Sequence, residues 1–184
     1  MKLLESSRLV LRNWKESDYS DLYEYAKDER VGPNAGWPPH KSEEESKSVI
    51  RMFIAQDDVY AIVLKEEGKV IGSLGLHARF PDESLKHLSQ LEVGYVIHPA
   101  YWGFGYAPEA VNRVIQYCFE ERDLDLLWCG HFDFNEKSRR VIEKCNFSYQ
   151  FTRENTLPLL EGKKVMNKYY HITKDRYFNV LQHI

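Results

Sequence analysis

The stretch Tyr101-Trp102-Gly103-Phe104-Gly105-Tyr106-Ala107-Pro108-Glu109-Ala110 constrains this chain more than any other. It lies between a strand-like run at residues 91–98 and a helix-like run from 107 to about 121. Gly103 and Gly105 lack a Cβ, so the backbone there accepts turns and close approaches that other residues resist. The helix behind them offers unpaired N–H groups and the positive end of its dipole. A strand that runs through a glycine turn into a helix N-terminus is a seat for a phosphate or pyrophosphate.

Three readings of this loop compete. A tight strand-to-helix turn would need glycine for its backbone angles alone. A dinucleotide site wants three spaced glycines after a first strand and an acid about 20 residues further on. Here the third glycine is missing and the loop lies past mid-chain. The third reading is a coenzyme A pyrophosphate loop, and the rest of the chain favours it. These residues resemble the GNAT superfamily of N-acetyltransferases, in which a central strand enters a Q/R-x-x-G-x-G/A loop and then a helix. Trp102-Gly103-Phe104-Gly105-Tyr106-Ala107 matches, with Trp102 at the usual Gln or Arg. This variant looks like the branch that contains the ribosomal-protein N-terminal acetyltransferases. Arg8-Leu9-Val10-Leu11-Arg12, residues 91–99, Asn135-Glu136-Lys137-Ser138 and Glu143-Lys144-Cys145-Asn146-Phe147 fall where that branch has them, so the resemblance spans about residues 8–173.

Length and composition suit an ordinary enzyme. The 184 residues are enough for one domain with a real core, read as 1–184. The net charge of −3, with no basic block, argues against nucleic-acid binding as the main function. No apolar run is long enough to span a membrane. The first residues enter a strand pattern without a signal peptide, which points to the cytoplasm. Cys118, Cys129 and Cys145 form no CxxC pair. They predict neither a disulfide framework nor a metal site, only small buried hydrophobes.

Periodicity predicts strands at 9–13, 59–64, 69–77, 88–97, 126–132, 147–154 and 164–172, the last two as a long pair. Ser17 or Asp18 can cap a helix to about 28, and Ser42 with Glu45 reads as a capping box for a helix to about 56. Further helices are expected at 107–121 and 135–145, with irregular loops at 32–39 and 80–86. Strands and helices mix without strict alternation. The fold class is therefore α+β, or mixed α/β, with helices on both faces of a largely antiparallel twisted sheet.

Acyl transfer from a thioester to an amine needs a base, a polarised carbonyl, aligned reactants and help for the departing thiolate. Glu92 is the candidate base. It sits in an otherwise apolar strand, opposite Leu91, Val93 and Tyr95, where desolvation would raise its pKa. Its alternative is an ion pair or a solvent-facing carboxylate. His77 and His131 are backup bases, each read first as a hydrogen-bonded core or cleft residue.

The remaining roles are implied by the resemblance. The strand before the loop splays from its neighbour, and coenzyme A pairs with it, here through Tyr95, Val96 and Ile97. Trp102, Gly103, Phe104, Gly105, Tyr106 and Ala107 form the pyrophosphate loop, with Phe104 where relatives often carry Lys or Gln. Asn135 is a cofactor contact or a helix N-cap. The superfamily's usual acid, a Tyr seven residues later, is replaced by Ile142, and Ser138 stands as its substitute. The resemblance implies an acetyl-CoA-dependent N-acetyltransferase that acts on a primary amine, a protein N-terminus or a small molecule, by direct attack in a ternary complex. A non-catalytic acyl-CoA-binding module and a nucleotide-binding oxidoreductase remain the alternatives, and a homodimer remains open. Loops 32–39 and 78–86 and the closing hairpin would line the acceptor cleft.

Overall fold

The alternating apolar runs become eight strands of one sheet in a computed structural model that describes residues 1–181. The strands are β1 (Leu4–Glu5), β2 (Leu9–Arg12), β3 (Val59–Leu64), β4 (Lys69–His77), β5 (Gln90–Ile97), β6 (Leu126–Phe132), β7 (Ser148–Leu157) and β8 (Lys163–Thr173). The helices are α1 (Tyr19–Ala26), α2 (Glu43–Gln56), α3 (Tyr106–Gln116), α4 (Glu136–Lys144) and α5 (Lys174–Leu181). The strand order is β1-β2-β3-β4-β5-β6-β8-β7. Every neighbouring pair is antiparallel except β5 with β6, which is parallel. The fold is the expected mixed α+β class.

Burial explains the layering. All six residues of β3 are buried, which a strand allows only when both faces of the sheet are covered. On one face Ala110, Val111, Val114 and Ile115 of α3 and Ile142 of α4 pack on Leu74, Leu91, Val93 and Ile97. On the other, Leu22, Tyr25 and Ala26 of α1 and Ile50 of α2 cover Ala61, Val63 and Val70. A smaller cluster of Leu126, Trp128 and Tyr169 lies under Leu85, Leu88 and Phe151. The three cysteines are buried and free.

Several boundaries move. β5 begins at Gln90 because Leu88 packs as a loop residue over the Trp128 cluster. α3 ends at Gln116 and continues as a wider π turn, Tyr117–Glu121. The short β1 and the C-terminal α5 were not anticipated. Asp18 precedes α1 without a side-chain capping bond. Its carboxylate accepts from Arg12 at 2.7 and 3.0 Å and from the Lys15 amide at 2.8 Å. Ser42 does cap α2 by accepting from the Glu45 amide, while Glu45 reaches back one residue further than a capping box requires, to the Lys41 amide. Asn146 holds φ 62° at the end of α4, the left-handed conformation that Asn tolerates in place of Gly.

Candidate active site

β5 pairs with β6 only from Gln90↔Leu126 to Val93↔Cys129. Beyond that point β5 runs on to Ile97 and β6 to Phe132 with no ladder between them. The other edge of β5 stays paired with β4 as far as Ile97↔Gly72. In an antiparallel ladder, residues alternate between those bonded to the partner strand and those turned away. The His98 amide donates to the Ile71 carbonyl at 2.8 Å, which fixes the phase. Gly94 and Val96 therefore direct their backbone groups into β4, and Tyr95 and Ile97 direct theirs toward the gap. The Ile97 carbonyl accepts from the Trp102 indole at 2.7 Å. The Ile97 amide and both backbone groups of Tyr95 are left as a short strand edge facing the splay.

The glycine loop follows. Gly103 has φ 87° and Gly105 φ 82°, both left-handed, so any side chain there is strained. A Cβ on Gly103 would meet nothing within 4 Å, and one on Gly105 only Arg8, at 3.6 Å. The glycines thus leave open space beside the N-terminus of α3, where the Tyr106 and Ala107 amides head the helix. Pro108 has no amide to offer.

Arg8 braces this turn. Its Nη1 donates to the Phe104 carbonyl at 3.0 Å, its Nε to Glu109 at 2.7 Å, and its guanidinium lies 4.4 Å over the Tyr106 ring. Glu109 also accepts from Ser6 Oγ and from the Arg8 amide. Burial works to raise the Glu109 pKa, but these donors outweigh it and hold the carboxyl below its ordinary value. Trp102 lies between two cations, with Lys137 Nζ 3.5 Å and the Arg30 guanidinium 5.6 Å from its ring. Phe104 is 61% exposed and stacks on Tyr106.

Glu92 lies between His77 of β4 and Trp128 of β6 in the register, on the opposite face from the Leu91 and Val93 side chains. Its side chain is 13% exposed. Burial raises its pKa, while Arg79 at 3.5 Å, His77 and Arg153 pull the other way without cancelling the rise. Gly94, next on that face, would leave a Cβ with nothing within 4 Å, so the floor beside Glu92 is open. His77 Nδ1 is engaged by Asp58 at 2.8 Å. His131 lies on the face away from Glu92, with Nδ1 on the Phe132 carbonyl and Nε2 beside the Tyr170 hydroxyl. Burial lowers its pKa, so it is a neutral hydrogen-bonded core residue.

Ser138 does not spend its hydroxyl on its own helix. Its Oγ lies 3.0 Å from the Tyr95 hydroxyl, which also donates to the Ser138 carbonyl at 3.1 Å. Burial puts the Tyr95 pKa well above its ordinary value, so the phenol keeps its proton. Ile142 is buried in the core and offers no polar group. Asn135 caps α4 by accepting from the Ser138 amide at 3.1 Å and donates to the Asn34 carbonyl at 3.3 Å.

The three segments expected to line an acceptor cleft do converge. A Cβ on Gly36 would lie 3.6 Å from the Phe132 ring and 3.7 Å from Leu157, so loop 32–39 rests against the hairpin of β7 and β8. Arg153 of that hairpin donates to the Pro81 carbonyl at 3.1 Å. Arg8, Lys137, Arg153 and the Tyr95 hydroxyl are the site groups that sequence reasoning missed. Arg8, Lys137 and Tyr95 stood within the quoted motifs, though without these roles, and Arg153 carried no signal. Among the described residues no helix is long and apolar enough to cross a membrane.

Comparison with known proteins gives the family and supports the fold. The chain is 29% identical over 150 residues to the uncharacterized N-acetyltransferase YoaA of Bacillus subtilis, covering 79% of this chain and 82% of that protein. An acetyltransferase of the GNAT family from Bacillus anthracis has the same fold, with TM-score 0.83, 22% identity, and 95% and 99% of the two chains covered. So does the microcin C7 self-immunity acetyltransferase MccE, determined with acetyl-CoA and AMP, with TM-score 0.74, 17% identity, and 91% and 93% covered. Residues 8–148 match the family described as Acetyltransferase (GNAT) domain, and the chain belongs to that family.

Proposed function

We propose that the protein transfers an acetyl group from acetyl-CoA to a primary amine by direct attack in a ternary complex. The observation that carries this reading is the unpartnered edge of β5 at Tyr95 and Ile97, running into a left-handed glycine turn and the N-terminus of α3. The edge can pair with the amide-bearing arm of coenzyme A, and the Tyr106 and Ala107 amides can receive its pyrophosphate. Lys137 and Arg8 place positive charge beside that seat. Bound there, acetyl-CoA supplies an activated thioester.

Three groups of the chain then do the proton work. Glu92, desolvated and with a raised pKa, takes the proton of the incoming amine, directly or through a water. The inward-facing amide of β5 donates a hydrogen bond to developing negative charge on the carbonyl. Of the Tyr95 and Ser138 hydroxyls, joined at 3.0 Å, one can turn its proton toward the departing sulfur while the other supports it. A hydroxyl is a weak acid, but a thiolate needs little help, since free thiols titrate near ~8.5. Buried free cysteines suit a reducing compartment such as the cytoplasm.

A second reading, an acyl-CoA-binding module without catalysis, draws on Ile142 at the position of the usual acid and on the Arg79 pair with Glu92. One experiment separates the two. Calorimetry with acetyl-CoA, followed by thiol release on adding primary amines, should give binding and amine-dependent turnover. Binding without turnover across amine classes supports the module, and no binding sinks both.

A further inference from the structure

We infer that the acceptor amine carries an anionic group close to the reacting nitrogen, and that Arg153 is the residue that selects it. This rests on the acetyltransferase reading and names the class of its second substrate. Arg153 projects from β7 on the face of the sheet that holds Glu92: its register partner Asn167 pairs in turn with Phe132, on the same side as Trp128 beside Glu92. Its guanidinium lies 5.0 Å over the Tyr169 ring and 5.7 Å from that of Phe151. One nitrogen donates to the Pro81 carbonyl at 3.1 Å and another to the Tyr169 hydroxyl at 3.4 Å. Asn155 holds the same hydroxyl at 2.6 Å. The cation is therefore fixed in place, with donors to spare.

What it lacks is a counter-ion. Among the described residues Arg153 forms no ion pair. The next residue, Glu154, points to the other face of the strand and pairs with Lys164 at 2.9 Å. Glu92 is taken up by Arg79, Asp58 by His77, and Asp82 by the Ser84 amide and hydroxyl. Arg153 and Glu92 nonetheless share this face of the sheet, with β6 and β8 between their strands. The cleft thus presents a buried carboxylate at the reacting end and an immobilised guanidinium beyond it. Asn167, opposite Arg153, lays its amide over the Gly130 backbone on the floor between them.

That polarity fits one kind of amine. A zwitterion sets its ammonium toward Glu92 and its carboxylate or phosphate toward Arg153, which can grip either anion with two parallel bonds. A polyamine meets the guanidinium with a second positive charge and is repelled. A polypeptide N-terminus follows its amine with a neutral carbonyl and leaves Arg153 unanswered.

The test uses the whole protein with acetyl-CoA and matched acceptors: phenylalanine against phenylalaninamide, phosphoethanolamine against ethanolamine, and spermidine. At least one anionic member should exceed its neutral partner by about 10-fold or more in kcat/KM, on the order of one charge-assisted bond. It should also bind the coenzyme A-loaded protein more tightly by calorimetry. Arg153→Gln should collapse both preferences, Arg153→Lys should restore part of them, and melting curves show whether either variant is folded. Preference for the neutral member or for spermidine would overturn the inference, as would a preference that Arg153→Gln leaves unchanged. Acetyl-CoA binding with no acceptor used or bound would sink the acceptor class and leave the cofactor reading standing. Failure to bind acetyl-CoA would remove both.

Discussion

Replacing Gly105 by Val tests the phosphate seat, because strain and ligand contact can be read separately. At φ 82° a β-branched residue is held in a conformation that costs about 1–3 kcal/mol. Crowding adds little, since the nearest atom to a Cβ there is Arg8 Nη2, at an ordinary 3.6 Å. For a chain of this size the strain should lower the melting temperature by about 2–4 °C for each kcal/mol. Gly68, in the turn between β3 and β4, is the control: its φ is 65° and a Cβ there meets nothing within 4 Å. Gly68→Val should show a comparable loss of stability and no loss of ligand binding. Gly105→Val should in addition place two methyl groups where a pyrophosphate would approach the Tyr106 and Ala107 amides. Losing even one charge-assisted bond costs about 1.5–3 kcal/mol, roughly 10- to 150-fold in Kd for acetyl-CoA. Calorimetry and thermal melts of the two variants decide the matter. Equal melting losses with unchanged acetyl-CoA affinity in folded Gly105→Val would refute the assignment.

Glu92→Gln should lower turnover by about 10²–10⁴-fold while acetyl-CoA affinity stays the same, and near wild-type rates across pH would reduce Glu92 to an ion-pair residue. Because burial raises its folded pKa above 4.5, the folded state holds this proton longer than the unfolded chain does, so its contribution to stability falls as pH rises through that window. The neutral Glu92→Gln protein should therefore gain on wild type in melting temperature from below pH 4.5 to neutral, and a difference independent of pH would count against a raised pKa. Glu109 has the opposite sign: its folded pKa is lowered, so its contribution is present above pH 4.5 and is lost as pH falls through the folded value. Acid titration of Glu109→Gln should show a flatter loss of stability than wild type, and an identical acid limb would refute this. Arg8→Ala, which strips partners from Glu109 and the Phe104 carbonyl, should cost about 1–2 kcal/mol by chemical denaturation, because half-exposed charge is screened. Tyr95→Phe and Ser138→Ala should each lower turnover about 10-fold, and the double variant little further, because the two hydroxyls act as one unit. Fully additive losses in single-turnover rates would separate them.

Much of the fold was legible because its signals are local. Seven alternating or continuous apolar runs matched β3, β4 and β6 to the residue and placed the other four within a few residues. What failed depended on tertiary partners. β1 is two residues long and exists because Leu4 and Glu5 find Leu11 and Val10, a pairing with no periodicity to detect. Leu88 looks like a strand residue, and only the Trp128 cluster beneath it explains why it is a loop. Asp18 has the right chemistry for a cap, but Arg12 offers a stronger, charged partner and takes it.

The site divides along the same line. The glycine turn was readable because left-handed backbone favours glycine, and two such positions stand one residue apart. Asn135 kept both of its readings in play, and the N-cap bond is the one its side chain makes here. Tyr95 was the hardest to read. Its place in the alternation with Leu91 and Val93 marks it as a core residue, and it is one, except for its hydroxyl. A phenol on that face must find a hydrogen-bond partner once it is buried. The partner is supplied by α4, which lies 43 residues further along the chain. Where β5 leaves β6, the ring crosses to Ser138 and sets a protonated hydroxyl beside the gap. Ile142 fills the core position from which a helix-borne tyrosine would have reached. Ile142 packs in the core, and the Tyr95 phenol meets the Ser138 hydroxyl of α4 where the splay begins.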